Sequence, residues 1–365
     1  MKGIDHIHGG DLAAIERKYK IKKEEILDFS GNINPLGFPG NTAKMLAENI
    51  AVVSTYPDKD YYALRKSISG YTGAPAENIV VGNGSTELIS GFIKAVSPKR
   101  AVILGPAYSE YEKEILLSGG GYVYFPLEEK DGFEADIEKL KCALTPDTDM
   151  FIACNPNNPT GTAISAESIE TVLTHAKKMG IVVMIDETYI EFSENLDRLT
   201  LIPLTGKFDN LFVIRGISKF FAAPGLRLGY GVSSNKSLTD KLNKTKDPWS
   251  VNILASFAGE HLYTENEFIS KTKRLISSER EKAFAELSSW KNIKVYKSCS
   301  NFILIKLLSD KITSPEIFSR LIEKKMLVRD ASSFTFLDES FIRFCLLLPE
   351  QNEALLREMK KIIEK

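Results

Sequence analysis

Short apolar runs that end in Gly, Asn or Asp alternate along this chain with amphipathic stretches of helical length. Ile79-Val-Val81, Ala101-Val-Ile-Leu104, Met150-Phe-Ile-Ala-Cys154, Ile181-Val-Val-Met-Ile185 and Leu211-Phe-Val-Ile214 are too short for buried helices. Uninterrupted apolar character suits strands covered on both faces. The intervening stretches Ser85 to Ala95, Tyr108 to Leu117 and Ser165 to Met179 carry helical patterning, the last with Ser165 as an N-cap. The expected fold is therefore α/β: a large domain with a mostly parallel sheet and helices on both faces.

The texture changes near residue 241. A long polar helical stretch centred on Lys271 to Leu287 is followed by strand-like Ile293-Lys-Val-Tyr296 and Phe302-Ile-Leu-Ile305, then by a helix from Pro349 to Lys365. We expect a large domain over 40–240, a smaller α/β domain over 241–365, and an N-terminal segment, 1–39, that drapes over a site and joins the small domain. A chain of 365 residues is long enough for such a division.

Charge and cysteine content narrow the partners. With 47 basic and 48 acidic residues the net charge is -1, so nothing attracts nucleic acid or an anionic membrane, and the expected ligand is small. The four cysteines (Cys142, Cys154, Cys299, Cys345) include no CxxC pair. His6 and His8 lack a third ligand nearby, so no metal is expected. No run of eighteen apolar residues or signal-like start is present, which gives a cytoplasmic expectation.

Chemistry concentrates where the strands end, the place where open parallel sheets bind ligands. Lys219 sits eight residues before Arg227 in the mostly apolar Val213 to Tyr230 stretch. Apolar surroundings push a lysine toward the neutral amine that attacks an aldehyde, and a nearby arginine can hold a phosphate. Most lysines are solvated, so the pair is weak by itself. Gly82-Asn-Gly-Ser-Thr-Glu87 would open a helix, offering backbone amides and the hydroxyls of Ser85 and Thr86 to a phosphate. The same sequence also serves as a plain strand-to-helix turn. Tyr108, in Gly105-Pro-Ala-Tyr108, could lie against a heteroaromatic ring or in the core.

Asn155-Pro-Asn-Asn-Pro-Thr-Gly161 is more specific, and its Asn158 amide could donate to a phenolate-like oxygen, as could Tyr189. Asp186 closes an apolar strand, where a carboxylate calls for a cation. Beside a pyridinium nitrogen it would keep that nitrogen protonated. The alternative is a cap for a helix beginning near Glu187. Together these residues suit pyridoxal phosphate.

The set resembles the pyridoxal-phosphate enzymes of the aspartate aminotransferase fold, fold type I, over nearly the whole chain. Within that fold it is similar to the histidinol-phosphate aminotransferase branch and most of all to the threonine-phosphate decarboxylases of cobalamin biosynthesis. His8-Gly-Gly10, Leu27-Asp-Phe-Ser-Gly-Asn-Ile-Asn-Pro-Leu-Gly37, Tyr56-Pro-Asp58 and Asp247-Pro-Trp-Ser-Val-Asn252 carry that similarity.

The resemblance implies that Lys219 bonds the cofactor, Asp186 pairs with its ring nitrogen, and Asn158 and Tyr189 hold its phenolic oxygen. Tyr108 stacks on the ring, while Ser85, Thr86, Ser218 and Arg227 hold its phosphate. It also implies a homodimer with shared active sites, in which Tyr56 reaches the partner's cofactor. Arg343 takes the substrate carboxylate, and Arg329, with His8, Gly9, Asn32 and Asn158, takes or frames the rest of a phospho-amino acid. The implied reaction decarboxylates O-phospho-L-threonine to 1-amino-2-propanol O-phosphate, or O-phospho-L-serine to ethanolamine phosphate, with amino transfer to or from histidinol phosphate or a related compound as the alternative. A cofactor-binding regulator is disfavoured because Lys219 is retained and no DNA-binding module is appended.

Two departures stand out. Gly216 occupies a position where relatives usually carry Ser or Thr, and Leu346-Leu-Leu-Pro349 follows Arg343 where they often carry polar or basic residues.

Overall fold

The N-terminal segment is sewn into the C-terminal part of the chain. In the computed structural model, which describes residues 9–365, strand β1 (Leu27–Asp28) pairs in parallel with β11 (Met326–Leu327). Phe29 continues the connection: its N–H donates to the Leu327 carbonyl at 2.8 Å, and its carbonyl accepts from the Cys345 N–H at 2.8 Å. The loop-rich segment also contains a helix, Leu12–Tyr19, whose buried Ile15 packs with Ile26, Ile322 and Leu327.

Seven strands form the main sheet: β2 (Ile79–Gly82), β3 (Arg100–Gly105), β4 (Gly121–Pro126), β5 (Met150–Cys154), β6 (Val182–Asp186), β7 (Leu211–Gly216) and β8 (Gly229–Val232). Their order is β2-β8-β7-β6-β5-β3-β4. The pairs from β4 through β7 are parallel, and β8 runs antiparallel to both neighbours. Each strand proposed from an apolar run in this region forms, with ends shifted by no more than two residues. Ser165 caps the helix Ala166–Lys178 by accepting from the Ser168 N–H at 3.1 Å.

Two strands of this sheet lacked an apolar run. β4 is half-exposed at the sheet edge, so its GYVYFP sequence is aromatic rather than uniformly aliphatic. β8 carries two glycines because its backbone approaches neighbouring groups closely. A Cβ at Gly231 would lie 2.1 Å from the Phe212 ring, which itself stacks on Phe92 at 4.1 Å between centroids.

The remaining strands, β9 (Ile293–Val295), β10 (Phe302–Leu307), β12 (Arg329–Asp330) and β13 (Phe341–Cys345), form an antiparallel sheet in the order β12-β13-β10-β9. Helices Asn266–Ser288 and Ser314–Ile322 pack on these strands, and Pro349–Ile363 packs on both helices. Leu346 and Leu347 are buried there, and the Leu346 N–H donates to the Asn301 carbonyl at 2.7 Å. Leu346 and Leu347 thus belong to the core, whereas Leu348 is exposed.

The Phe212 contact yields a stability expectation. Gly231→Ala should destabilise the protein by about 1–3 kcal/mol through overpacking, measured by denaturant unfolding. An unchanged midpoint would show that the ring yields without strain.

Candidate active site

Lys219 lies on the turn after β7, and its Nζ donates to the Gly31 carbonyl at 2.7 Å. Desolvation first and Arg343 second push its amine down to about 8, against the opposing influence of Cys345 and Asp28. A lysine so placed reaches its nucleophilic form well below the ordinary lysine range. Ser218 precedes it, half-buried on the same turn.

Asp186 ends β6 and is buried. Its Oδ2 accepts from the Tyr111 hydroxyl at 2.7 Å, and Oδ1 accepts from the Thr188 N–H at 2.9 Å and hydroxyl at 2.5 Å. No helix starts at Glu187; the next helical turn is Ile190–Phe192. The helix-cap alternative therefore fails. Burial raises the Asp186 pKa despite these donors, so a cation beside the carboxylate would be stabilising.

Asn158 and Tyr189 are both buried at this end of the sheet. The Asn158 Oδ1 accepts from the Arg343 Nη1 at 2.5 Å, which leaves its amide nitrogen as a donor. The Tyr189 hydroxyl accepts from Asn32 Nδ2 at 3.4 Å. Asn32 adopts φ 54°, and its carbonyl accepts from Asn301 Nδ2 at 2.9 Å. Tyr108 is half-buried, with its ring edge-on to Tyr111 at 5.8 Å.

Ser85 and Thr86 occupy the first turn of helix Gly84–Val96. Arg227 lies directly against that turn: a Cβ at Gly84, where φ is +79°, would sit 2.3 Å from its Nη2. A Cβ at Gly229 would sit 2.7 Å from the Ser85 backbone nitrogen. Only glycine permits both approaches. The result is a cradle of helix N-terminal amides, two hydroxyls and one guanidinium, which is the donor set a phosphate requires.

Arg329 and Arg343 are direct cross-strand partners between β12 and β13. Arg343 is buried; its Nη2 donates to the Ser30 carbonyl at 2.6 Å, and its guanidinium lies 5.4 Å from the Phe302 ring centroid. Its Nε has no hydrogen-bond partner among the described residues. Arg329 Nη2 donates to the Ser333 hydroxyl at 2.7 Å. Burial first, then Arg343, pull the Arg329 pKa down to about 10. Like charges facing each other across strands are destabilising. An anion held nearby offsets that repulsion.

Gly9 is packed so closely that a Cβ would lie 2.4 Å from the Ser30 carbonyl oxygen and 3.4 Å from Arg343 Nη2. His8 lies outside the described residues. Tyr56 is not gathered into this cleft; it is 78% exposed and packs on Trp249 at 4.7 Å. Sequence reasoning missed Tyr111, Thr188, Ser30 and Asn301. Only Tyr111 carried a visible cue, as a second tyrosine three residues after Tyr108; the helix itself begins at Glu110, so Tyr108 precedes it.

The profile of the aminotransferase class I and II family matches residues 24–359. The chain belongs to this family. Among similar proteins, the "Putative threonine-phosphate decarboxylase" of Caldanaerobacter subterraneus subsp. tengcongensis is 39% identical, the match covering 91% of this chain and 89% of that protein. The threonine-phosphate decarboxylase of Salmonella typhimurium is 31% identical over 98% of this chain and 96% of its own. The crystal structure of a histidinol-phosphate aminotransferase from Clostridium acetobutylicum superposes with a TM-score of 0.85 at 32% identity, covering 92% of this chain and 98% of the other.

The cofactor of this class I and II chain is pyridoxal phosphate, and the residues present fit it. The Ser85–Arg227 cradle suits its phosphate, Asp186 its protonated ring nitrogen, and Lys219 its aldehyde.

Three outcomes are expected. Lys219→Ala should abolish both the visible absorbance of the cofactor-loaded protein and its turnover; normal turnover in that variant would overturn the assignment. The rate at which cofactor-free protein captures pyridoxal phosphate should rise with pH and level off above about 8, tracking the neutral Lys219 amine. A midpoint in the ordinary lysine range, about 10.4, would contradict the depressed value. A Cβ at Gly216 would lie 3.4 Å from the Leu228 carbonyl, 3.8 Å from Ser85 Cβ and 3.9 Å from Gly229 Cα, so Gly216→Ser should fit and tighten cofactor binding, read by equilibrium titration. Unchanged or weaker binding would show that the added hydroxyl misses the cradle.

Proposed function

We propose that this protein decarboxylates an O-phospho-amino acid, O-phospho-L-threonine foremost, to the corresponding phosphorylated amino alcohol. The observation that carries this reading is the facing pair Arg329 and Arg343, one buried against Asn158 and the other beside it on the neighbouring strand. A substrate bearing a carboxylate and a phosphate supplies both with anions. The names of the two curated relatives support the same substrate class.

When bound, pyridoxal phosphate supplies an electron sink for the pair left behind as CO2 departs. In this reading Asp186, fixed by Tyr111 and Thr188, keeps the ring nitrogen protonated. Arg343 orients the α-carboxylate, and Arg329 holds the phosphate with Gly9, Asn32 and His8 framing the rest. Lys219, whose amine the Gly31 carbonyl holds, would return a proton to Cα. The product, 1-amino-2-propanol O-phosphate from the threonine substrate or ethanolamine phosphate from the serine one, could serve as the linker of a cobamide nucleotide loop.

The active unit in this reading is a cytoplasmic homodimer. Ile50, Val53, Tyr56, Tyr62 and Trp249 are large apolar or aromatic residues exposed within two neighbouring stretches of the chain. Burying such a surface against a second copy would bring Tyr56 to the partner's phosphate cradle.

Amino transfer is the second reading, favoured by the histidinol-phosphate aminotransferase superposition. CO2 release separates the two. Protein loaded with pyridoxal phosphate and given O-phospho-L-threonine without an oxo-acid should release CO2 continuously, with O-phospho-L-serine in parallel to rank the substrates. No release, with transfer appearing once histidinol phosphate and 2-oxoglutarate are supplied, would replace the decarboxylase reading. Arg329→Ala should raise KM for the phosphorylated substrate, by the equivalent of about 2–5 kcal/mol if the guanidinium and phosphate form a buried charged pair. An unchanged KM would move phosphate recognition to the N-terminal segment.

A further inference from the structure

The N-terminal segment crosses the active site with its carbonyls turned toward the working side chains. The Ser30 carbonyl accepts from Arg343 Nη2 at 2.6 Å, and the next one, at Gly31, accepts from Lys219 Nζ at 2.7 Å. The third, at Asn32, accepts from Asn301 at 2.9 Å. Two successive peptide carbonyls thus hold the guanidinium assigned to the substrate carboxylate and the amine assigned to the cofactor. Their relative placement depends on the conformation of one short turn.

That turn is fixed by a carboxylate outside the assigned machinery. Asp28 Oδ1 accepts from both the Ser30 N–H at 2.8 Å and the Ser30 hydroxyl at 2.6 Å. The same hydroxyl oxygen accepts from the Gly10 N–H at 2.9 Å, tying the preceding loop to the turn. Asp28 Oδ2 closes over Gly31, where an added Cβ would lie 2.9 Å away. On its other side Asp28 is anchored by the β1–β11 pairing. Its charge also acts on Lys219 and Arg343, favouring the protonated form of each.

We propose that Asp28 is a positioning residue: its carboxylate sets the Ser30–Gly31 turn so that consecutive carbonyls hold Arg343 and Lys219 in fixed relation. The role rests on the decarboxylase reading for its substrate side and on the family's cofactor for its lysine side. Acting through backbone carbonyls, Asp28 couples the grip on the substrate carboxylate to the placement of the amine that later protonates Cα. Aligned groups matter here because small misplacements of reacting atoms are costly in rate.

The test compares Asp28→Ala with Asp28→Asn in the cofactor-loaded protein. Asparagine retains an oxygen acceptor for Ser30, whereas alanine retains none. Without substrate, the visible circular dichroism of the lysine-bound cofactor should fall clearly in Asp28→Ala and recover in Asp28→Asn. With O-phospho-L-threonine, Asp28→Ala should raise KM about tenfold or more and lower kcat, while Asp28→Asn should stay within about threefold of wild type. Ser30→Ala, a milder change, should shift both readouts in the same direction and serves where Asp28→Ala does not fold.

Wild-type dichroism and KM in folded Asp28→Ala would overturn the proposal. Equal impairment of the asparagine variant would do so too, because charge rather than turn geometry would then be the cause. Failure of the wild type to turn over O-phospho-L-threonine would count against the substrate reading alone, since the dichroism is read without substrate.

Discussion

The Arg343 guanidinium is the contact on which the site's assembly depends. It is buried, so its charge carries a desolvation cost that only well-placed acceptors offset. Those acceptors come from two separate parts of the chain: the Asn158 side chain from the loop after β5, and the Ser30 carbonyl from the N-terminal segment. Arg343 itself belongs to the C-terminal sheet. One cation therefore joins the main sheet, the small sheet and the draped segment at the point where chemistry is expected.

The two adjacent carboxylates at the end of β6 show how burial divides labour. Glu187 is fully buried and meets Arg215, with Nε at 2.9 Å and Nη2 at 2.8 Å from Oε2. Its charge is matched inside the protein. Asp186 is also buried but, among the described residues, meets hydroxyl and backbone N–H donors from Tyr111 and Thr188 and no cation. It has the unmatched charge, and a protonated ring nitrogen is the natural complement.

The sheet was legible because its central strands are covered on both faces and so read as unbroken apolar runs. Edge strand β4 and glycine-bearing β8 were not, since half-exposure and close backbone approach each replace that signal. The motif residues at strand ends were legible for a related reason: Asp186 and Asn158 are polar groups where the pattern demands apolar ones. What the sequence hid is backbone chemistry. Nothing in Ser30-Gly31 announces that its carbonyls face Lys219 and Arg343, because hydrogen bonding by peptide groups leaves almost no trace in residue type. Tyr56, which the resemblance assigns to the partner's cofactor, lies exposed against Trp249 in its own chain.

In the proposed reaction the two arginines read different ends of one substrate, Arg343 the carboxylate and Arg329 the phosphate. Arg343→Ala tests it through two affinities measured side by side: that for the phospho-amino acid, and that for the phosphorylated amine, which lacks the carboxylate. Because Arg343 also supports the site, both affinities fall, and a distinctly greater loss for the phospho-amino acid than for the amine is the expected result. Equal loss of both would contradict the division of roles and return Arg343 to a purely structural part.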